Sequence, residues 1–171
     1  MAKSAVKFKD TISMYDQISA DIRSRRFAPI YLLMGEEGYF IDSICDMLAE
    51  DILNDTQRAF NQIVMYGRDS EAGVVVNCCR QMPMMGDMEV VIVKEAQNLR
   101  MIEKLTHYTN SPSPTTTLVI CHKEKSIDKR SQLYKSILKN GVVLESVRPR
   151  DYEIGVWLSS FVASKGCTIS P

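Results

Sequence analysis

Long apolar runs are missing from this 171-residue sequence. No stretch approaches the roughly 20 apolar residues that a membrane-spanning helix requires. The opening segment, MAKSAVKFKD, is polar and shows no apolar core of the kind a secretory signal carries. Net charge is missing too, because 21 Lys and Arg balance 21 Asp and Glu. That balance argues against a disordered chain and against a generic polyanion binder, whose footprint is a basic surplus. There is no CxxC pair, and the five cysteines (Cys45, Cys78, Cys79, Cys121 and Cys167) are odd in number. The neighbours Cys78–Cys79 and Cys121–His122 lack zinc-ligand spacing. The cysteines read as reduced, mostly buried thiols of a cytoplasmic protein, with no metal and no cofactor. The only two histidines, His107 and His122, have no identifiable Ser, Cys or carboxylate partner for catalysis and read as surface or packing residues.

What is present is an ordinary globular composition, 45% hydrophobic and 25% charged, at a length that suits one α/β domain and a little more. Ile12, Tyr15, Ile18 and Ile22 recur at helical spacing, so a helix is predicted over 11–26, capped by Asp10 or Thr11. The apolar run 30–34 reads as a buried strand. Phe40, Ile41, Ile44, Met47, Leu48 and Ile52 make a second amphipathic helix. Further strands are predicted over 60–66, 89–93, 116–121 and 142–144. Between them lie a short helix capped by Ser70, a helix carrying Leu99, Ile102, Leu105 and Tyr108, and a helix over 129–139 closed by Asn140-Gly141. Five strands alternating with helices imply a parallel sheet with helices on both faces. After Arg148-Pro149-Arg150, the residues Ile154, Trp157, Leu158 and Phe161 line one face of another helix, and Tyr39 and Trp157 read as core. The last residues, Ser170-Pro171, have the form of a helix start. We therefore expect a domain over 1–148 and, over 149–171, the severed beginning of a second, helical one.

The strand at 30–34 runs into Gly35-Glu36-Glu37-Gly38 and then a helix, which is the setting of a phosphate-binding loop. That loop needs GxxxxGK[ST], in which backbone N–H groups wrap the phosphates, Lys neutralises them and Ser or Thr holds Mg²⁺. Here there is neither the Lys nor the hydroxyl. Glu36 and Glu37 would lie at the helix N-terminus, where the dipole favours them and where they would repel a triphosphate. The segment reads as a helix-capping turn, with nucleotide binding the alternative. Glu95, after the strand at 90–93, has the position of a Walker-B acid but no phosphate cradle to serve.

Of the ten methionines, Met82, Met84, Met85 and Met88 fall in one stretch broken by Pro83, Gly86 and Asp87. Methionine is flexible and polarizable and is over-used on binding surfaces. The pair Met84-Met85 is therefore either two apolar plugs displayed for a partner's pocket or a buried entry to the next strand. The stretch Lys123, Lys125, Lys129 and Arg130, with Lys135 and Lys139, carries local positive charge. It reads either as a solvated helix face or as a nucleic-acid patch.

Taken together, several segments resemble the delta subunit family of the bacterial DNA polymerase III clamp loader, in the form found in Bacteroidetes-type sequences. They are 29–42 (PIYLLMGEEGYFID), Phe60-Asn61, 79–86 (CRQMPMMG), 90–97 (VVIVKEAQ), 118–120 with Lys123, 128–130, and the linker into Trp157. The resemblance implies an AAA+-like first domain with a RecA-type five-stranded parallel sheet and a degenerate phosphate loop. A small helical lid and a collar would follow. It implies a non-catalytic subunit of a nucleotidyltransferase complex, the polymerase III holoenzyme, that binds the sliding clamp (beta) and favours its opening for loading onto primed DNA. Other loader subunits (gamma/tau and delta prime) would be partners through a region beyond this sequence, and DNA would be met through the assembly. In the family, adjacent apolar residues before the third strand make the clamp contact. Here they are Met84 and Met85, flanked by Met82 and Pro83, where Leu-Phe is the commoner pair.

Overall fold

The computed structural model describes residues 6–164 and residue 166. The chain order is α1 (Phe8–Arg23), β1 (Ile30–Gly35), α2 (Gly38–Asp51), α3 (Asp55–Asn61), β2 (Gln62–Tyr66), α4 (Ala72–Cys79) and β3 (Glu89–Lys94), then α5 (Thr106–Thr109), β4 (Thr116–Lys123), α6 (Gln132–Asn140), β5 (Val142–Ser146) and α7 (Asp151–Ser164). The five strands form one sheet in the order β2-β3-β4-β1-β5, and every neighbouring pair is parallel. The predicted α/β sheet with helices on both faces is what the chain adopts.

Strand pleating sorts the apolar runs onto two faces. Ile30, Leu32, Met34, Val91, Val93, Leu118 and Ile120 face a core completed by Val75 and Cys79 of α4, Tyr108 of α5 and Leu133 and Ile137 of α6. Tyr31, Leu33, Val90, Ile92, Val119 and Leu144 face a second core with Ile18 and Ile22 of α1 and Phe40, Ile44 and Leu48 of α2. Cys45, Cys79 and Cys121 are buried, Cys78 is partly so, and all are free thiols. His122 is buried with Nδ1 2.8 Å from the Lys125 carbonyl oxygen, a packing role, and His107 is exposed. No helix among the described residues is long and apolar enough to cross a membrane.

Several local expectations are corrected. The first helix starts and ends three residues before the predicted 11–26 span, at Phe8–Arg23. Asp10 accepts from the Lys7 N–H at 2.9 Å, while Thr11 is no cap. Its hydroxyl donates to the Glu145 carbonyl at 2.9 Å and accepts from the Val147 N–H at 3.2 Å, tying α1 to the end of β5. Phe60 and Asn61 end a short helix, α3, rather than beginning a strand. The cap of α4 is Glu71, and the Ser70 hydroxyl points to the Met65 sulfur at 3.7 Å instead.

The predicted helix through Leu99 and Tyr108 is broken into two 3₁₀ turns and the single turn of α5, because Glu95 and Met101 adopt left-handed backbone angles. The helix expected over 129–139 begins later, after Ser131, whose hydroxyl accepts from the Tyr134 N–H at 3.1 Å. Gly141 closes it with an extended backbone. Its glycine is required by proximity, since a Cβ there would lie 2.4 Å from the Ile30 carbonyl oxygen.

In α7, Trp157 packs edge-on against Phe8, Phe40 and Tyr39 and stacks on Phe161. Ile154 and Leu158, on the same predicted face, are exposed. Tyr39, expected in the core, is 41% exposed and lies at the rim of this aromatic cluster. Cys167 and the predicted helix start at Ser170-Pro171 lie outside the described residues.

Candidate functional site

Because all strands run the same way, the sheet has two distinct ends. Gly35 is in register with Lys123 and with Ser146. The glycine turn and the start of the basic stretch therefore share the carboxyl end of the sheet, where open α/β folds hold ligands. The methionine segment precedes Glu89, the first residue of β3, so it lies at the opposite end. The six residues of β1 set these ends about 20 Å apart.

At the carboxyl end the turn is closed onto its own sheet. The Glu36 and Glu37 N–H groups both donate to the Ser146 carbonyl, at 2.8 and 3.4 Å. The Ser146 hydroxyl returns a bond to the Glu37 carbonyl at 2.7 Å. A Cβ on Gly35, whose φ is +129°, would lie 2.0 Å from the Ser146 oxygen. The Glu37 carboxylate caps α2 by accepting from the Tyr39 N–H at 3.0 Å. The Glu36, Glu37 and Tyr39 amides are thus committed, and a carboxylate already caps the helix N-terminus. Glu95 pairs with Arg68 at 3.0 Å.

Three members of the basic stretch have carboxylate partners. Lys123 pairs with Asp42 at 2.7 Å, Lys129 with Glu145 at 2.5 Å, and Arg130 with Asp128 at 2.9 Å. The Arg130 guanidinium holds the Asp128 carboxyl down at about 2. Lys125, Lys135 and Lys139 are exposed. As a result, half of the positive charge that looked clustered in sequence is paired locally.

At the other end the methionines stand out. Met84 is 80% exposed, Met82 79% and Met85 39%. Met88 turns inward against the second core, and Pro83 is half-buried. Of the two readings of Met84-Met85, display at the surface is the arrangement observed. The loop is held from below by Asn61, the last residue of α3, which is only 1% exposed. Its Oδ1 accepts from the Met84 and Met85 N–H groups, both at 3.1 Å. Its Nδ2 donates to the Met88 carbonyl at 2.9 Å and to the Met85 carbonyl.

Sequence reasoning assigned Asn61 no role. Nothing beside it in the sequence marks it, because the loop it holds comes only after β2 and α4. Glu89 was also missed. It is 4% exposed, one carboxylate oxygen lacks a hydrogen-bond partner, and burial raises its pKa.

Comparison with known proteins adds the family. A sequence profile described as "DNA polymerase III, delta subunit" matches residues 31–147. The DNA polymerase III subunit delta of Bacillus subtilis is 25% identical over 128 residues, covering 69% of this chain and 37% of that protein. Among solved structures, the Bacillus subtilis DNA clamp loader delta protein superposes with a TM-score of 0.77 at 21% identity, over 92% of this chain and 49% of that one. A DNA polymerase III gamma subunit-related protein from Thermotoga maritima has a TM-score of 0.52 at 14% identity, over 85% of this chain and 50% of its own. The Thermotoga maritima RuvB Holliday junction branch migration motor also has a TM-score of 0.52, at 16% identity, over 94% of this chain and 52% of its own. These likenesses show the AAA+-like fold, and the chain spans half or less of the length of the two Bacillus relatives. With two thirds of its residues, from β1 to the end of β5, matched by the profile, the chain belongs to the DNA polymerase III delta subunit family.

Proposed function

We propose that the protein acts in DNA replication as a clamp-loader delta subunit, docking on the ring-shaped sliding clamp through Met84 and Met85, with Met82 and Pro83 at the margin. The observation that carries this reading is the exposed methionine pair on a buried asparagine, in the loop before β3. An apolar plug that is already exposed loses little on leaving water and gains a dry pocket on binding.

Preference for the open or strained ring shifts the clamp equilibrium towards opening, by no more than the differential affinity for the two states. No bond-making step is assigned to this chain. ATP hydrolysis belongs to other loader subunits, and DNA is reached through the assembly. The setting is cytoplasmic. The committed amides of the Gly35–Gly38 turn and the paired charges of Lys123, Lys129 and Arg130 support this reading over nucleotide binding or direct DNA binding.

Calorimetric titration of the chain against its cognate clamp tests it. Replacing both Met84 and Met85 by Ala should weaken binding by at least about 2 kcal/mol, roughly thirtyfold, as expected for central apolar anchors. Unchanged affinity in that variant overturns the proposal.

A further inference from the structure

We propose that Asn61 is the positioning residue of the methionine loop, setting its shape before any partner arrives. The inference rests on the clamp-docking reading and deepens it. An asparagine amide has two N–H donors and an oxygen with two lone pairs. All four of these capacities are spent on the loop, with two acceptances from the Met84 and Met85 N–H groups and two donations to the Met85 and Met88 carbonyls. The segment 80–88 lies between α4 and β3 and has no helix or strand ladder of its own. The Asn61 side chain therefore stands in for secondary structure there.

Its burial excludes the water that would otherwise compete for those groups. No other side chain of this size presents both donors and acceptors in one plane. Asp would set a carboxylate against two carbonyl oxygens, and Leu would orphan all four backbone groups.

The same helix face supplies a second contact. Gln57, one turn before Asn61 in α3, lies over Gly86, where a Cβ would come within 2.4 Å of its side-chain nitrogen. Gln57 is itself held by a reciprocal cap. Its N–H donates to the Asn54 side chain at 2.8 Å, and its side-chain oxygen accepts from the Asn54 N–H at 3.3 Å. Gly86 has a φ of +74°, a turn that the glycine makes without strain. The face of α3 formed by residues four apart thus serves the loop, and the loop presents Met82 and Met84 outward from a fixed backbone. A preformed loop loses less conformational entropy on docking, which is the advantage of preorganisation.

The test combines clamp titration with hydrogen exchange of the clamp-free chain, at a temperature where circular dichroism shows every variant folded. In the wild type, the Met84 and Met85 amides should be protected. Asn61→Ala should expose them to fast exchange, and both Asn61→Ala and the near-isosteric Asn61→Asp should weaken clamp binding about tenfold. A core truncation on β3, Val91→Ala, serves as control. It should lower the melting temperature yet leave loop exchange and affinity as in the wild type. Wild-type affinity in folded Asn61 variants, unprotected Met84 and Met85 amides in the wild type, or an equal affinity loss in Val91→Ala would each overturn the assignment. If the Met84→Ala/Met85→Ala variant loses affinity while Asn61→Ala keeps it, the clasp alone falls. If the double methionine variant binds normally, the docking reading falls and takes the clasp with it.

Discussion

Glu89 begins β3 with its carboxylate on the same face as Val91 and Val93, directly opposite Thr116 in the ladder. The Thr116 hydroxyl and one Glu89 oxygen are both buried without partners. Burial raises the Glu89 pKa, and the charge of Glu89 in turn helps to raise Cys78, Cys79 and Tyr108, the last to about 12 chiefly through its own burial. An acid with a raised pKa in the folded state stabilises the fold fully only below its unfolded value. That contribution is lost as pH rises through the folded value. Glu89→Gln should therefore be more stable than the wild type at pH 7, by about 1 kcal/mol. The difference should shrink as the pH falls towards the ordinary glutamate range, and thermal melts from pH 4 to 8 would measure it. Neither Glu89 nor Asn61 was legible as special. One stood at the head of an apparently ordinary strand, and the other looked like the start of the strand at 60–66, where the chain is still helix and β2 begins one residue later. Both owe their character to what the fold packs around them, which no local pattern encodes.

Helices and strands were legible to the extent that their apolar periodicity was strong. β1, β3 and β4 appear where the runs 30–34, 89–93 and 116–121 predicted them, with one or two residues added at their ends. α3 was missed because it is seven residues long and has no apolar stripe. Its signal was the cap, Asn54 with Gln57 three residues on. Asn54→Ala should lower stability by about 1 kcal/mol in chemical denaturation. It should also weaken clamp binding less than Asn61→Ala does, because Gln57 loses its tether while the asparagine clasp stays in place. The segment 96–109 failed for the opposite reason. Its apolar spacing looked helical, but two left-handed residues, Glu95 and Met101, fold it into short turns that still bury Leu99, Leu105 and Tyr108. Gly67, next to that segment, could carry no Cβ, which would lie 2.2 Å from the Glu95 carbonyl oxygen, so close packing rather than local preference shapes this corner.

Across the whole molecule, the sheet separates two ends that the sequence interleaves. The glycine turn is sealed by Ser146, which lies 109 residues from Glu37, and so the Glu36 and Glu37 amides are spent on the sheet's own carboxyl end. Millimolar Mg-ATP should leave the melting temperature unchanged in a thermal-shift titration, and a clear rise would revive nucleotide binding. By itself, the sequence determined the α/β class, the two-sided core, the missing phosphate-loop chemistry and the methionine pair, because these depend on residue type and on spacing within single segments. Only the tertiary structure decided that the methionines face solvent while Met88 turns in. Only it decided which half of the basic stretch is paired, and that one buried asparagine holds the loop. Apart from the local Arg130–Asp128 pair, these depend on partners distant in the chain, such as Asp42 for Lys123 and Asn61 for Met84. Such pairings arise only when parallel strands bring remote segments to the same end of one sheet.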